Sequence, residues 1–129
     1  MSEDVKVICS ETNLEAVQRW ATENNLDVIF PAADELFLDI DDYSSARAYE
    51  ENKDVVEKSH GILGVKVTSS RSGNGRKHYV VTLESIITSP LERIALQATL
   101  GSDRRREANS LRRWREGEQT PTLFFEKKA

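Results

Sequence analysis

Two short stretches of this chain carry side chains that could do chemistry. Glu35 to Asp42 reads Glu-Leu-Phe-Leu-Asp-Ile-Asp-Asp, an apolar run that ends in closely spaced carboxylates. Alternate side chains of a strand share a face, so Asp39 and Asp41 project to one side and Ile40 to the other. Carboxylates held side by side repel each other unless a cation lies between them, and hard oxygen ligands of this kind suit Mg²⁺ or Mn²⁺. The same pattern also describes a strand that runs out into an acidic, solvated turn capping the next helix.

The second stretch is Ser69-Ser70-Arg71-Ser72-Gly73-Asn74-Gly75-Arg76-Lys77-His78. Gly73 and Gly75 give the backbone freedom to turn several N–H groups toward an anion, and Arg71, Arg76 and Lys77 supply positive charge, so phosphate is the natural ligand. Gly and Asn are also the default residues of a hairpin tip. His78 heads the following strand, where a side chain is held firmly.

The elements that must position these residues follow from periodicity and punctuation. Val5, Val7 and Cys9 alternate as in a half-buried strand over Asp4 to Cys9. A helix capped by Thr12 or Asn13 carries Leu14, Val17, Trp20 and Ala21 and ends near Asn24-Asn25. Leu26 to Phe30, stopped by Pro31, and Leu36 to Asp41 are short strands that the pattern pairs across the Ala-Ala-Asp turn. A helix from Ser44 or Ser45 to about Lys58 is closed by Gly61. Gly64 to Thr68 and His78 to Leu83 form a hairpin with a long polar tip.

Ser89-Pro90-Leu91-Glu92 then opens a helix with Ser at the cap, Pro at the first position and Glu at the third. Its expected core side is Ile94, Ala95, Ala98 and Leu91, and Gly101 ends it. A helix from Ser102-Asp103 to Trp114 and a strand from Thr122 to Glu126 complete the order. The fold class expected is α+β, a mainly antiparallel sheet with helices packed on it.

Composition sets limits without choosing a function. At 129 residues the chain is one domain by length, with room for one real core. Cys9 is the sole cysteine, which excludes an intrachain disulfide or a cysteine-based zinc cluster. Apolar runs fall short of the ~20 residues of a membrane span, and Met1-Ser2-Glu3-Asp4 lacks the basic start of a signal peptide, so a cytoplasmic protein is expected. The net charge of −4 conceals a division: residues 1 to 62 carry 15 acidic and 5 basic side chains, residues 63 to 129 carry 7 and 13. That asymmetry suits a chain that holds cations on one element and polyanions on another.

A strand ending in Asp39-x-Asp41, a helix, and a strand leading through Ser-Arg-Ser-Gly-x-Gly to a His at the head of another strand resemble the archaeo-eukaryotic primase and primase-polymerase superfamily. The likeness covers roughly residues 35 to 83. It implies a core related to the RNA-recognition fold, with Asp39 and Asp41 binding the catalytic Mg²⁺ or Mn²⁺. Ser72 and His78 would then contact the nucleoside triphosphate, with Arg71, Gly73, Asn74, Gly75 and Arg76 as further loop contributors. The family's third acidic ligand comes later in the chain; here Asp103 and Glu84 are the two candidates. The implied chemistry is nucleotidyl transfer on a nucleic-acid template, in the DNA replication of a phage or mobile element, with a replication partner supplying the domains this short chain lacks.

The segment Asp103 to Arg115 adds Arg104, Arg105, Arg106, Arg112, Arg113 and Arg115, a candidate groove for single-stranded nucleic acid. Trp114 either stacks on a base or, with Leu111, anchors that helix to the core; its spacing favours the core. Two other functions fit the same residues. One is a catalytically inactive module that holds nucleotide or nucleic acid; the other is a small interaction or inhibitor protein whose acidic half mimics nucleic acid.

Overall fold

The computed structural model of the chain describes residues 14–69, 76–118 and 122–127. The strand expected at Asp4 to Cys9, the cap at Thr12 or Asn13, and Arg71, Ser72, Gly73, Asn74 and Gly75 lie outside the described residues. In chain order the elements are α1 (Leu14–Glu23), β1 (Leu26–Ile29), β2 (Glu35–Ile40), α2 (Tyr43–His60), β3 (Ile62–Ser69), β4 (Lys77–Leu83), α3 (Pro90–Thr99), α4 (Arg104–Arg115) and β5 (Phe124–Lys127). The class is α+β with antiparallel sheets.

The central sheet has the order β2-β4-β3, with β4 antiparallel to both neighbours. Strands β2 and β3 therefore run parallel, joined by α2, with β4 inserted between them in a split β-α-β unit. The alternation of β2 and β4 builds the core on one face: Leu36, Leu38 and Ile40 from β2, Val81 and Leu83 from β4, packed under Tyr49 and Val56 of α2 and Leu96 and Leu100 of the α3 end. Burial of such side chains stabilises by about 1.5–3 kcal/mol each. Asp42 caps α2 by accepting from the Ser45 N–H, and Gly61 closes it at φ 69°, a left-handed conformation that costs other residues more than glycine. Ser89 accepts from the Glu92 N–H and Pro90 begins α3, as the capping signature predicts.

The opposite face of β2 is covered too. Strands β1 and β5 form a separate antiparallel pair, and the Phe124 ring from β5 stacks on Phe37 at 4.5 Å while Phe125, facing the other way, meets Trp20 of α1 edge-on at 5.1 Å. This corrects the expected pairing of β1 with β2. The Ala32 to Glu35 segment is committed elsewhere: Ala33 and Asp34 carbonyls accept from Ile87 and Leu83 N–H groups, and Arg93 donates to the Ala32 and Glu35 carbonyls. Pro31 supplies no donor, and β1 finds its partner in β5 instead.

Two helix faces also differ from expectation. In α3 the buried side chains are Ile94, Leu96 and Gln97, whereas Ala95, Ala98 and Leu91 are exposed. In α4 the buried side is polar, formed by Glu107, Ser110 and Arg113, while Leu111 and Trp114 are 46% and 41% exposed. Trp114 thus does not anchor α4 to the core. Among the described residues no helix is long and apolar enough to cross a membrane.

Candidate metal centre

Strand β2 ends at Ile40, so Asp39 is fixed by the sheet and Asp41 by the two-residue step into α2. The third carboxylate arrives from the corner between α3 and α4. Asp103 caps α4, accepting from the Arg105 N–H at 2.9 Å, and its own N–H donates to the Asp39 carbonyl at 2.9 Å. One oxygen from each of Asp39, Asp41 and Asp103 lies within 4.8 Å of the other two. Glu84 is elsewhere: it follows the far end of β4, and its N–H donates to the Gly61 carbonyl.

The electrostatics of this cluster are unfavourable as it stands. Burial, then the charges of Asp39 and Asp103, push the Asp41 carboxyl up from 3.8 to about 7, with Arg76 acting weakly the other way. Asp41 Oδ1 is buried and lacks a hydrogen-bond partner; the Arg76 Nε stands 3.8 Å from it. A carboxylate oxygen taken out of water without a donor costs free energy that a bound cation would return. Three converging carboxylates, one with an orphaned oxygen, are an all-oxygen donor set of the kind that hard divalent cations such as Mg²⁺ and Mn²⁺ prefer. The residues present therefore fit such an ion.

His78 borders the same cluster. In the β2–β4 register it lies opposite Asp39, and its Nε2 is 4.0 Å from Asp39 Oδ1. Its ring stacks on Phe124 at 3.8 Å. Burial lowers the imidazole below its usual range; Asp39 opposes this and Arg106 adds to it, so the ring is biased toward the neutral form. A neutral imidazole beside carboxylates offers one N–H donor to an oxygen ligand and one acceptor. Arg76, just before β4, faces Asp41.

The six arginines divide. Arg104, Arg105, Arg112 and Arg115 are exposed on α4. Arg106 is half-buried: it donates to the Phe37 carbonyl at 2.5 Å and lies over the Phe124 ring at 5.5 Å. Arg113 is buried, only 4% exposed. Of the six arginines read as one candidate groove, four are exposed together on α4, and Arg106 and Arg113 turn inward. Gln97, Ser102, Glu107 and Phe124, none of them singled out by sequence, contact β2, His78 or one another around the cluster. No family model matches the chain, and no curated protein or solved structure is significantly similar to it.

Proposed function

We propose that this protein is a minimal metal-dependent nucleotidyltransferase of the primase-polymerase type, acting on nucleoside triphosphates and a nucleic-acid template. The observation that carries the reading is the meeting of Asp103 with Asp39 and Asp41. An Asp-x-Asp alone is compatible with a turn; here the Asp103 carboxylate, which also caps α4, comes to it from a distant helix start. The split β-α-β unit, with β4 between β2 and β3, also supports a core of the RNA-recognition type. In such a core a fourth strand would flank β2; here the α3–α4 corner occupies that edge.

Divalent ions held by Asp39, Asp41 and Asp103 would supply Lewis acidity for attack by a hydroxyl on the α-phosphorus and for departure of pyrophosphate. The chain's own groups bind and orient. His78 donates an N–H toward a phosphate oxygen from a ring fixed by the Phe124 stack, and Arg76 balances charge beside Asp41. Four exposed arginines on α4 provide for the template strand. They equally favour the second reading, a module that holds single-stranded nucleic acid without catalysis.

Calorimetry with Mn²⁺ and a nonhydrolysable nucleoside triphosphate separates these. The enzyme reading requires metal-dependent nucleotide binding, lost in Asp39→Ala/Asp41→Ala and weakened in His78→Ala. Nucleic-acid binding that persists in Asp39→Ala, with no nucleotide binding by the wild type, supports the module instead.

A further inference from the structure

Asp103 reaches the cluster from a different element than Asp39 and Asp41, so its position depends on how the α3–α4 corner is fixed to β2. Among the described residues the outer edge of β2 has no neighbouring strand, yet its backbone groups are satisfied. Phe37 N–H donates to Gln97 Oε1 at 2.9 Å and Phe37 C=O accepts from Arg106. Asp39 N–H donates to Ser102 Oγ at 3.0 Å and Asp39 C=O accepts from the Asp103 N–H. The corner thus imitates a strand with two side-chain acceptors, one guanidinium donor and one backbone donor.

That imitation works only if Gln97 and Ser102 both turn acceptors toward β2. A primary amide can be flipped, and a hydroxyl can donate or accept. Glu107 sets the amide: its Oε1 accepts from Gln97 Nε2 at 3.0 Å, which leaves Gln97 Oε1 for the strand. Gln97, Ser102 and Glu107 are 0%, 2% and 3% exposed. A buried carboxylate is costly to retain where an apolar side chain could fill the space, and Glu107 Oε2 lacks a hydrogen-bond partner, with the Arg106 Nε 3.5 Å away.

We propose that Glu107 is the positioning residue of the three-carboxylate site: by orienting Gln97 it locks the α3–α4 corner onto the edge of β2 and so holds Asp103 beside Asp39. The proposal rests on the metal reading given above. Ser102 acts beside it, since its hydroxyl accepts directly from the backbone N–H of a ligand residue, Asp39.

Mn²⁺ titrated calorimetrically into wild type, Glu107→Gln, Ser102→Ala, Asp103→Asn, and each of the first two combined with Asp103→Asn tests this, with a urea melt of every protein. Groups that orient metal ligands typically contribute about 10–100-fold in affinity; a loss of that size is expected for Glu107→Gln and a smaller one for Ser102→Ala. Neither should weaken binding further once Asp103 is Asn. Unchanged affinity in folded Glu107→Gln, or an equal loss with and without Asp103, overturns the proposal and leaves the metal site standing. A wild-type chain that binds no Mn²⁺ overturns the metal reading and the proposal together. Should Glu107→Gln fail to fold, Ser102→Ala and its combination with Asp103→Asn carry the same comparison.

Discussion

Asp41 concentrates the consequences of the site in one carboxyl. Its proton is held to about pH 7 by burial and by Asp39 and Asp103, against an ordinary value of 3.8. Below about pH 4 the group is protonated whether the chain is folded or not. Between that point and about pH 7 the unfolded chain has released the proton while the folded one keeps it, so stability of the metal-free protein falls as pH rises and levels off above about 7. Urea melts across this range should show that decline, and Asp41→Asn should reduce it. Mn²⁺ must displace the same proton, so its affinity should rise with pH up to about 7 and then flatten, an outcome calorimetry in two buffers can check. At this scale the sequence was legible where period and type agree: Asp39 and Asp41 stand out because they close an apolar strand. The separation of Asp103 from Asp39 hides their meeting, and Gln97, Ser102 and Glu107 could not be read as buried because polar residues on a helix ordinarily face water.

Among the elements, α4 departs furthest from its sequence pattern. Spacing of Leu111 and Trp114 suggested an apolar anchor, but the helix buries Glu107, Ser110 and Arg113, and its first turn reaches the polar edge of β2 through Arg106. Caps, by contrast, were readable from single residues: Ser89 and Pro90 begin α3 and Gly61 ends α2 in the manner their chemistry demands. The exposed arginines of α4 give a prediction proper to this scale. Each phosphate neutralised on a single strand contributes about −0.7 to the slope of log affinity against log salt. Replacing Arg104, Arg105, Arg112 and Arg115 by Ala should flatten that slope by up to about 3 in a filter-binding or anisotropy series. Surface changes of this kind shift folding stability by only about ±0.5 kcal/mol each.

For the molecule as a whole, the α+β class and the β3–β4 hairpin followed from the alternation of helix and strand patterns, but the partner of β1 did not. The described residues form two sheets, and Phe124 is the contact through which β5 touches Phe37, His78 and Arg106. Removing a buried aromatic ring costs about 3–5 kcal/mol, so Phe124→Ala should lower the urea midpoint markedly. It should also restore a more ordinary imidazole titration at His78, read by NMR, because the ring would lose its dry neighbour. The Asp39 to Ser102 hydrogen bond spans 63 positions, and Gly101, at φ 86°, lets the corner press against the Ser45 carbonyl at the start of α2. Loop closure over such a span is unfavourable until the intervening sheet and helices are in place. Asp103 is therefore expected to join its two partners late in folding, and pulse-labelled hydrogen exchange should find the Asp39 and Asp103 amides protected only after those of β4, when the chain has finished assembling.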